Sequence, residues 1–480
     1  MTPRRATYLF FVALFTATAA HAGVDLIAIG NVSGAYEDFS TETAAPLENG
    51  VAGNRLGGIG SGLAYAGGTT FVALPDRGPN AVSYDAAIDE TASYINRFHT
   101  FNLSLAPSDP SAVLASDPAT ALPFVLTPTL RRTTLLSSRT RLVYGSGAGL
   151  GVGGGMPALN AKNHLFYFTG RSDNFDPAEP STEPKDARLD PESIRVSNDG
   201  ESVFISDEYG PYVYQFDRST GQRVRFFKLP SRFAVTNLSP VGNTEISGNA
   251  SGRVANKGME GLAITPDGKT LVGIMQSPLI QDGGTNAAFT RIVTIDIRTG
   301  TTHEYAYKLE NIGTASKPKY PTVSDIVAIN DHEFLVDERD GNGLGDGSVA
   351  KFKRLYQIDL DRAMEVSGII GESNLTGKEV QKSLFLDVVV ALNSHGISSE
   401  DIPAKLEGVA FGPNVIVDGV TKRTLFMAND NDFLPTVTDS LHPNGVANPN
   451  RFFVFAFDDR DLPGFEPQHF RPDLDHGWDR

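Results

Sequence analysis

Five stretches of the chain share one alternation of apolar and polar positions. A short apolar strand opened by an acidic or small residue is followed by a turn and a second apolar strand that ends in a polar, acidic tip. The first strands are Ser61-Gly-Leu-Ala, Glu192-Ser-Ile-Arg, Glu260-Gly-Leu-Ala, Asp325-Ile-Val-Ala and Glu407-Gly-Val-Ala. Their partners are Phe71 to Gly78, Val203 to Gly210, Leu271 to Ser277, Phe334 to Gly341 and Leu425 to Asp432. Period-2 alternation then predicts third strands at Phe98 to Leu105, Tyr212 to Asp217, Ile292 to Ile297, Arg354 to Leu360 and Phe452 to Asp458. Fourth strands are expected at Gln222 to Leu229 and Thr301 to Leu309, behind the turns Asp217-Arg-Ser-Thr-Gly221 and Asp296-Ile-Arg-Thr-Gly300. The turns Asn198-Asp-Gly200 and Pro266-Asp-Gly-Lys269 carry glycine where a hairpin needs positive φ. Four consecutive antiparallel strands make one propeller blade, so the pattern predicts an all-β protein, a β-propeller of four-stranded antiparallel sheets.

Spacing sets the expected blade number. Glu192 to Glu260 is 68 residues, Glu260 to Asp325 is 65, and Asp325 to Glu407 is 82. Ser61 to Glu192 is 131, about twice the basic step, which leaves room for one degenerate blade near His164 to Thr169 or for a long insertion. Six blades are expected, with five or seven also compatible. The apolar run Val24 to Ile29 is placed to complete the last blade beside Phe452 to Phe457, and Lys378 to Leu392 reads as an inserted amphipathic helix ending before Gly396. These features divide the chain into 1–22, a propeller over 23–460, and a polar tail over 461–480 expected to pack loosely.

The N-terminus changes the picture of where the protein works. Arg4 and Arg5 precede an apolar run from Ala6 to Ala20, and Ala20-His21-Ala22 supplies the small-x-small pattern of a cleaved leader. A secreted or periplasmic protein cut near Ala22 is expected. No later stretch approaches the roughly 18 apolar residues of a membrane span, so no membrane insertion is expected. The formal net charge of −16 disfavours nucleic acid as a partner. With no cysteine, stability must come from core burial. The 48 glycines and 29 prolines fit a chain of many short strands.

In a propeller a column of the repeat becomes a ring in space. The column that opens the first strands reads Ser61, Glu192, Glu260, Asp325, Glu407, and the innermost strands line the axis. Glu192, Glu260, Asp325 and Glu407 are therefore the expected metal ligands. Oxygen-only ligation suits Ca²⁺, and the lack of cysteine or of paired histidines disfavours zinc. A single acid there can equally hydrogen-bond the neighbouring blade. A second column at the strand tips contains Asp76, Asp207, Gln276, Glu338 and Asp430, whose acids are expected as further ligands or as a general base. Arg77 and Arg339 follow two tip acids and can clamp an anionic substrate or pair with the next blade. Asp340-Gly-Asn-Gly-Leu-Gly-Asp346 lacks the twelfth-position Glu of a calcium loop, and no Gly-x-Ser-x-Gly elbow or phosphate loop is present. His164 and His303 lack partners and are expected to be structural.

Gly57-Gly-Ile-Gly-Ser-Gly-Leu-Ala-Tyr65, Ala73-Leu-Pro-Asp-Arg-Gly-Pro-Asn80, Ser206-Asp-Glu-Tyr-Gly-Pro211, Lys257-Gly-Met-Glu-Gly-Leu-Ala263 and Lys405-Leu-Glu-Gly-Val-Ala410 together resemble the phytase-like family named for an "esterase-like activity of phytase". The resemblance runs from about Leu56 to Asp458. It departs at Ala428-Asn-Asp-Asn-Asp-Phe433, where the family tends to show Ser-Asp-Asn-Asn-Phe. It implies a secreted β-propeller that hydrolyses phosphoesters or carboxyl esters. The leading expectation is a monomeric, calcium-dependent hydrolase acting on a small-molecule ester, with an anionic ester as one option. A non-catalytic periplasmic binding or scaffold propeller and a lactonase-like Ca²⁺ enzyme are the alternatives.

Overall fold

The computed structural model describes residues 23–80, 91–109, 121–145, 155–210 and 212–471. The leader expected over 1–22 lies outside these residues. Five four-stranded antiparallel sheets surround one axis. Blade 1 has strands A to D at Gly62–Tyr65, Thr70–Leu74, Arg97–Pro107 and Phe124–Leu135. Blade 2 has Pro191–Val196, Ser202–Asp207, Tyr212–Asp217 and Arg223–Lys228. Blade 3 has Met259–Ile264, Thr270–Met275, Phe289–Asp296 and Thr302–Lys308. Blade 4 has Thr322–Ala328, Glu333–Arg339, Lys353–Asp359 and Lys382–Asp387. Blade 5 has Lys405–Val417, Val420–Asp430 and Asn450–Phe457, and its outer strand is Asp25–Val32 from the other end of the chain.

The ring has five blades, one of the counts the spacing allowed, rather than the six it favoured. Between blades 1 and 2 the described chain forms a two-residue pairing of Ser137–Ser138 with Phe166–Tyr167, isolated bridges such as Val143 to Asp186, and a short helix over Ala158–Asn163, but no four-stranded sheet, so the double step is an insertion. The helix expected over Lys378 to Leu392 is also revised. Lys382–Asp387 pairs with strand C of blade 4, and only Val388–Ser394 is helical, with the Asp387 carboxylate accepting from the Val390 amide. The helical period of the sequence there yields to the hydrogen bonds an open strand edge offers. His164 ends the short helix in a left-handed conformation, and His303 faces Glu365 from an outer strand.

Inner strands are buried on both faces and outer strands alternate, as a blade sandwiched between neighbours requires. Close packing at the axis is set by small residues. A Cβ on Gly261 would lie 2.9 Å from Asp325 Cα, and one on Gly408 would lie 2.9 Å from Gly60 O. The ladder registers place Gly62, Gly261, Asp325 and Gly408 in one ring, with Ser193 as the blade 2 member. Asp325 occupies the room that three glycines leave. Its carboxylate accepts from Arg195 at 2.8 and 2.9 Å, from Ser193 Oγ at 2.9 Å, and from the Val409 and Ile326 amides at 2.9 Å. This buried Arg195–Asp325 pair plugs the axis and divides it into two mouths.

The tail does not pack loosely over its described part. Phe465 packs against Phe411 of blade 5 with tilted rings whose centroids are 4.5 Å apart. The Glu466 amide donates to Ile329 O beyond strand A of blade 4 at 2.8 Å, and the His469 amide to Pro266 O of blade 3 at 3.0 Å. Gln468 Nε2 donates to Val196 O of blade 2 at 2.7 Å, and Phe470 meets Tyr65 of blade 1 edge-on. The segment therefore crosses the far mouth and touches every blade. Phe465→Ala is expected to lower stability by about 2 kcal/mol, read as an earlier denaturation midpoint. An unchanged midpoint would mean that the tail is not docked in solution.

Candidate functional site

The opposite mouth holds the chemistry. In every blade, strand A carries one extra residue at its entrance. Gly60 and Gly62 both face Leu74, which leaves Ser61 as the extra residue in blade 1. Register shifts put Glu260, Ser324 and Glu407 in the same place in blades 3 to 5, and Pro191/Ile194 brackets Glu192 in blade 2. A bulge re-aims its side chain, and here it points Glu192, Glu260 and Glu407 into a cavity of about 370 Å³.

Asp325 does not join them. It stands one position beyond the bulge, and a one-residue slip in a strand turns a side chain to the other face. The expected ligand in blade 4 is thus the axial plug, and Ser324 takes the equivalent place. The same slip affects the strand tips. Asp76, Glu208, Gln276, Arg339 and Asp430 face the cavity. Asp207 instead accepts from the Asp190, Tyr209 and Gly210 amides and caps its own turn. Glu338 joins blades 3 and 4 through Tyr307, Lys382 and the Glu310 amide. Neither Asp207 nor Glu338 reaches the mouth.

The two arginines are engaged with carboxylates. Arg77 Nη1 lies 2.7 Å from Asp190 Oδ2 and also bonds Asn256. Arg339 is paired with Glu407 and donates to Ser324 Oγ at 2.7 Å. Each therefore follows the inter-blade pairing that was one of its two expected roles. Lys405 lies 2.7 Å from Asp430 and 2.5 Å from Asp432, and Lys257 Nζ donates to Gln276 Oε1 at 2.8 Å. Asp340 caps its own loop by accepting from the Lys351 and Phe352 amides.

Once these pairs are assigned, Asp76, Glu192, Glu208 and Glu260 keep no ion pair among the described residues. Asp190, Glu192 and Glu208 each offer one oxygen, and these oxygens lie within 4.8 Å of one another. Glu260 Oε2 is buried with no hydrogen-bond donor. Burial first, then repulsion from Asp190, Glu260 and Glu208, holds the Glu192 carboxyl well above the usual carboxylate range. Burial and then Glu208 do the same to Glu260, and burial and then Asp430 to Asp76. Glu208 is pushed up to about 8 by burial and by Asp190. Clustered acids that resist ionisation fit a site for a cation, whose charge removes the repulsion.

The sequence pattern missed Asp190, Glu208, Lys257 and Lys405. Asp190-Pro-Glu192 carried a usable signal, since two acids flanking a strand entrance converge across a bulge. Glu208 would have emerged from aligning the tips on Asp76 and Asp430.

A pH dependence follows for the metal-free protein. The Glu208 pKa is near 8 in the folded state and near the ordinary 4.5 when unfolded. The folded form therefore holds the proton more tightly, and this stabilisation is complete below about pH 4.5 and is lost as pH rises through 8. The melting temperature without metal is expected to fall from pH 5 to 8, and Glu208→Gln is expected to flatten that slope. A slope unaltered by the substitution would place the titration elsewhere.

The fold and site define a five-bladed propeller with an acidic axial mouth. Residues 54–433 match the Phytase-like family, described as "Esterase-like activity of phytase", and the chain belongs to that family. A relative from Arthroderma benhamiae, described as an uncharacterized secreted protein, is 34% identical over 179 residues, which cover 32% of this chain and 35% of that protein. The chain thus matches about a third of that relative's length. Among solved structures, the periplasmic gluconolactonase of Pseudomonas aeruginosa is similar with a TM-score of 0.30 at 11% identity, over 83% of this chain and 89% of its own. Hydrazine synthase of Kuenenia stuttgartiensis gives 0.28 at 9% identity, over 78% of each chain. Neither likeness bears on chemistry.

Proposed function

We propose that the protein is an exported hydrolase of phosphate or carboxylic esters that works with a divalent cation, Ca²⁺, at the acidic mouth. The observation that carries this reading is the convergence of Asp190, Glu192 and Glu208 beside the unpartnered oxygen of Glu260. An all-oxygen set with room to adjust suits Ca²⁺, which takes six to eight oxygens at flexible geometry. When bound, such an ion polarises an ester oxygen and lowers the pKa of water. Family membership supports ester hydrolysis, and the secreted relative together with the N-terminal leader pattern supports export.

The chain's own groups have separable roles in this proposal. Asp190, Glu192 and Glu208 would hold the cation, and the Arg77–Asp190 pair would fix the direction of one of them. Glu260 would take a proton from water as general base, since burial and the neighbouring Glu208 raise its proton affinity. Glu407 and Arg339 are paired to each other and would hold the opposite wall.

Turnover of nitrophenyl phosphate and of nitrophenyl acetate by wild type and by Glu260→Gln tests this. Hydrolysis of at least one ester, reduced about a hundredfold or more in the variant, is expected. Equal rates in the two proteins would remove the mouth as the catalytic centre.

A further inference from the structure

The outer flank between blades 1 and 2 carries a charge opposite to that of the whole molecule. There the Ser137 amide donates to Gly221 O at 2.8 Å, and Ser137 bridges Gln222 in a parallel sense. This bridge occupies the edge at Gln222, and no bridge joins the two segments beyond it among the described residues. A cleft of about 640 Å³ lies between Ser138–Thr140 on one side and Gln222–Phe226 on the other.

Three arginines line this cleft, and each binds a neutral acceptor. Arg139 Nε donates to Gln222 Oε1 at 2.7 Å, Arg223 to Pro184 O at 2.5 Å and to Ser138 Oγ at 3.4 Å, and Arg225 to Ile297 O at 2.6 Å. The acid in the cleft, Asp217, is engaged by Ser219 and Thr220 of its own turn, both at 2.7 Å. Arg132 and Arg218 extend the positive charge and crowd each other. Guanidinium groups without carboxylates are unexpected on a chain of net charge −16.

Arg223 and Arg225 stand on the open edge of blade 2, strand D. Charged residues on an edge usually ward off pairing. Here the same edge exposes Val224 (61%) and Phe226 (37%), which warding off does not call for. A shift in register at Val224 sends Arg223 toward Pro184 and Arg225 toward Ile297, so positive charge stands on both sides of the edge. A strand that pairs in its sheet on one side only, with apolar side chains and flanking cations, has the chemistry for strand addition by an acidic segment.

We propose that this cleft takes an extended acidic peptide segment of a partner protein as an added strand along Val224–Lys228, beyond the bridge to Ser137. Backbone pairing to the edge supplies affinity, and the arginines select acids at alternate positions.

A fluorescent peptide of alternating Glu and Val, titrated against the full-length protein by anisotropy, tests the proposal. Binding that weakens with salt is expected, together with a loss of about tenfold or more in Arg139→Glu/Arg225→Glu. A peptide of the same sequence with alternate amides N-methylated keeps the charge but cannot pair, and it is expected to bind about tenfold or more weakly to wild type, with no dependence on variant folding. A Lys–Val peptide is expected not to bind. Three results would overturn the proposal: no binding of the Glu–Val peptide, indifference to the arginine substitutions, or equal binding of the N-methylated peptide and of heparin, which would reduce the cleft to a cationic patch for any polyanion.

Discussion

Glu192→Gln is expected to raise the melting temperature of the metal-free protein and to abolish the gain that Ca²⁺ gives the wild type. The two halves have one cause. Without a cation, the Glu192 carboxyl is buried against Asp190, Glu208 and Glu260, which oppose its ionisation, and a neutral amide in its place removes that repulsion. With a cation, the same carboxylate is a ligand, and free Ca²⁺ at a hundred times its dissociation constant stabilises the wild type by about 2.7 kcal/mol. The variant therefore starts higher and gains nothing. Melting curves with chelator and with Ca²⁺ measure both effects. A variant that still gains from Ca²⁺ would exclude Glu192 as a ligand, and a wild type that does not respond would remove the metal.

Asp325→Asn is expected to behave in the opposite way, losing about 3–5 kcal/mol while keeping the Ca²⁺ gain. The amide keeps the shape but leaves the Arg195 guanidinium buried without a counter-charge, the costly way to break such a pair. Arg195→Met is expected to lose a similar amount, and the double variant to be clearly better than the sum of the two. Denaturant unfolding of the four proteins gives the coupling energy. Additivity within about 0.5 kcal/mol would show that the pair is not what holds the axis. Loss of the Ca²⁺ gain in Asp325→Asn would restore this residue to the ligand ring from which its register removes it.

The contrast between these two acids marks how far the sequence could be read. The blades were visible because each hairpin carries its own local chemistry, as at Asn198-Asp-Gly200, and because inner strands are apolar on both faces. The closing strand near Val24 was visible for the same reason. Blade number was legible only as a range of five to seven, because the stretch from Leu136 to Asp190 has apolar residues enough for a sheet, and its described ones, such as Leu142 and Phe168, pack into the core without forming one. The carboxylate ring was visible as a column, but its register was not. Ser324-Asp325 offers two polar residues where blades 1, 3 and 5 offer one beside a glycine, and only the ladder shows which of them is the bulge. The tips failed likewise at Asp207-Glu208 and Glu338-Arg339, where adjacent charged residues face opposite ways. Lys382–Asp387 shows a different limit, since its local period is helical and its partner strand decides otherwise.

The joining of Asp25–Val32 to Asn450–Phe457 has a consequence for the order of assembly. Asp25 lies beside Ala456, so the fifth sheet is completed only when the two ends of the described chain meet. Each of the other four blades can form from a contiguous stretch, whereas the annulus stays open until its latest-made strand exists. A chain emerging from a ribosome or a translocon thus carries four finished sheets and one exposed edge until the end. That edge is where misassembly with a neighbouring copy would begin.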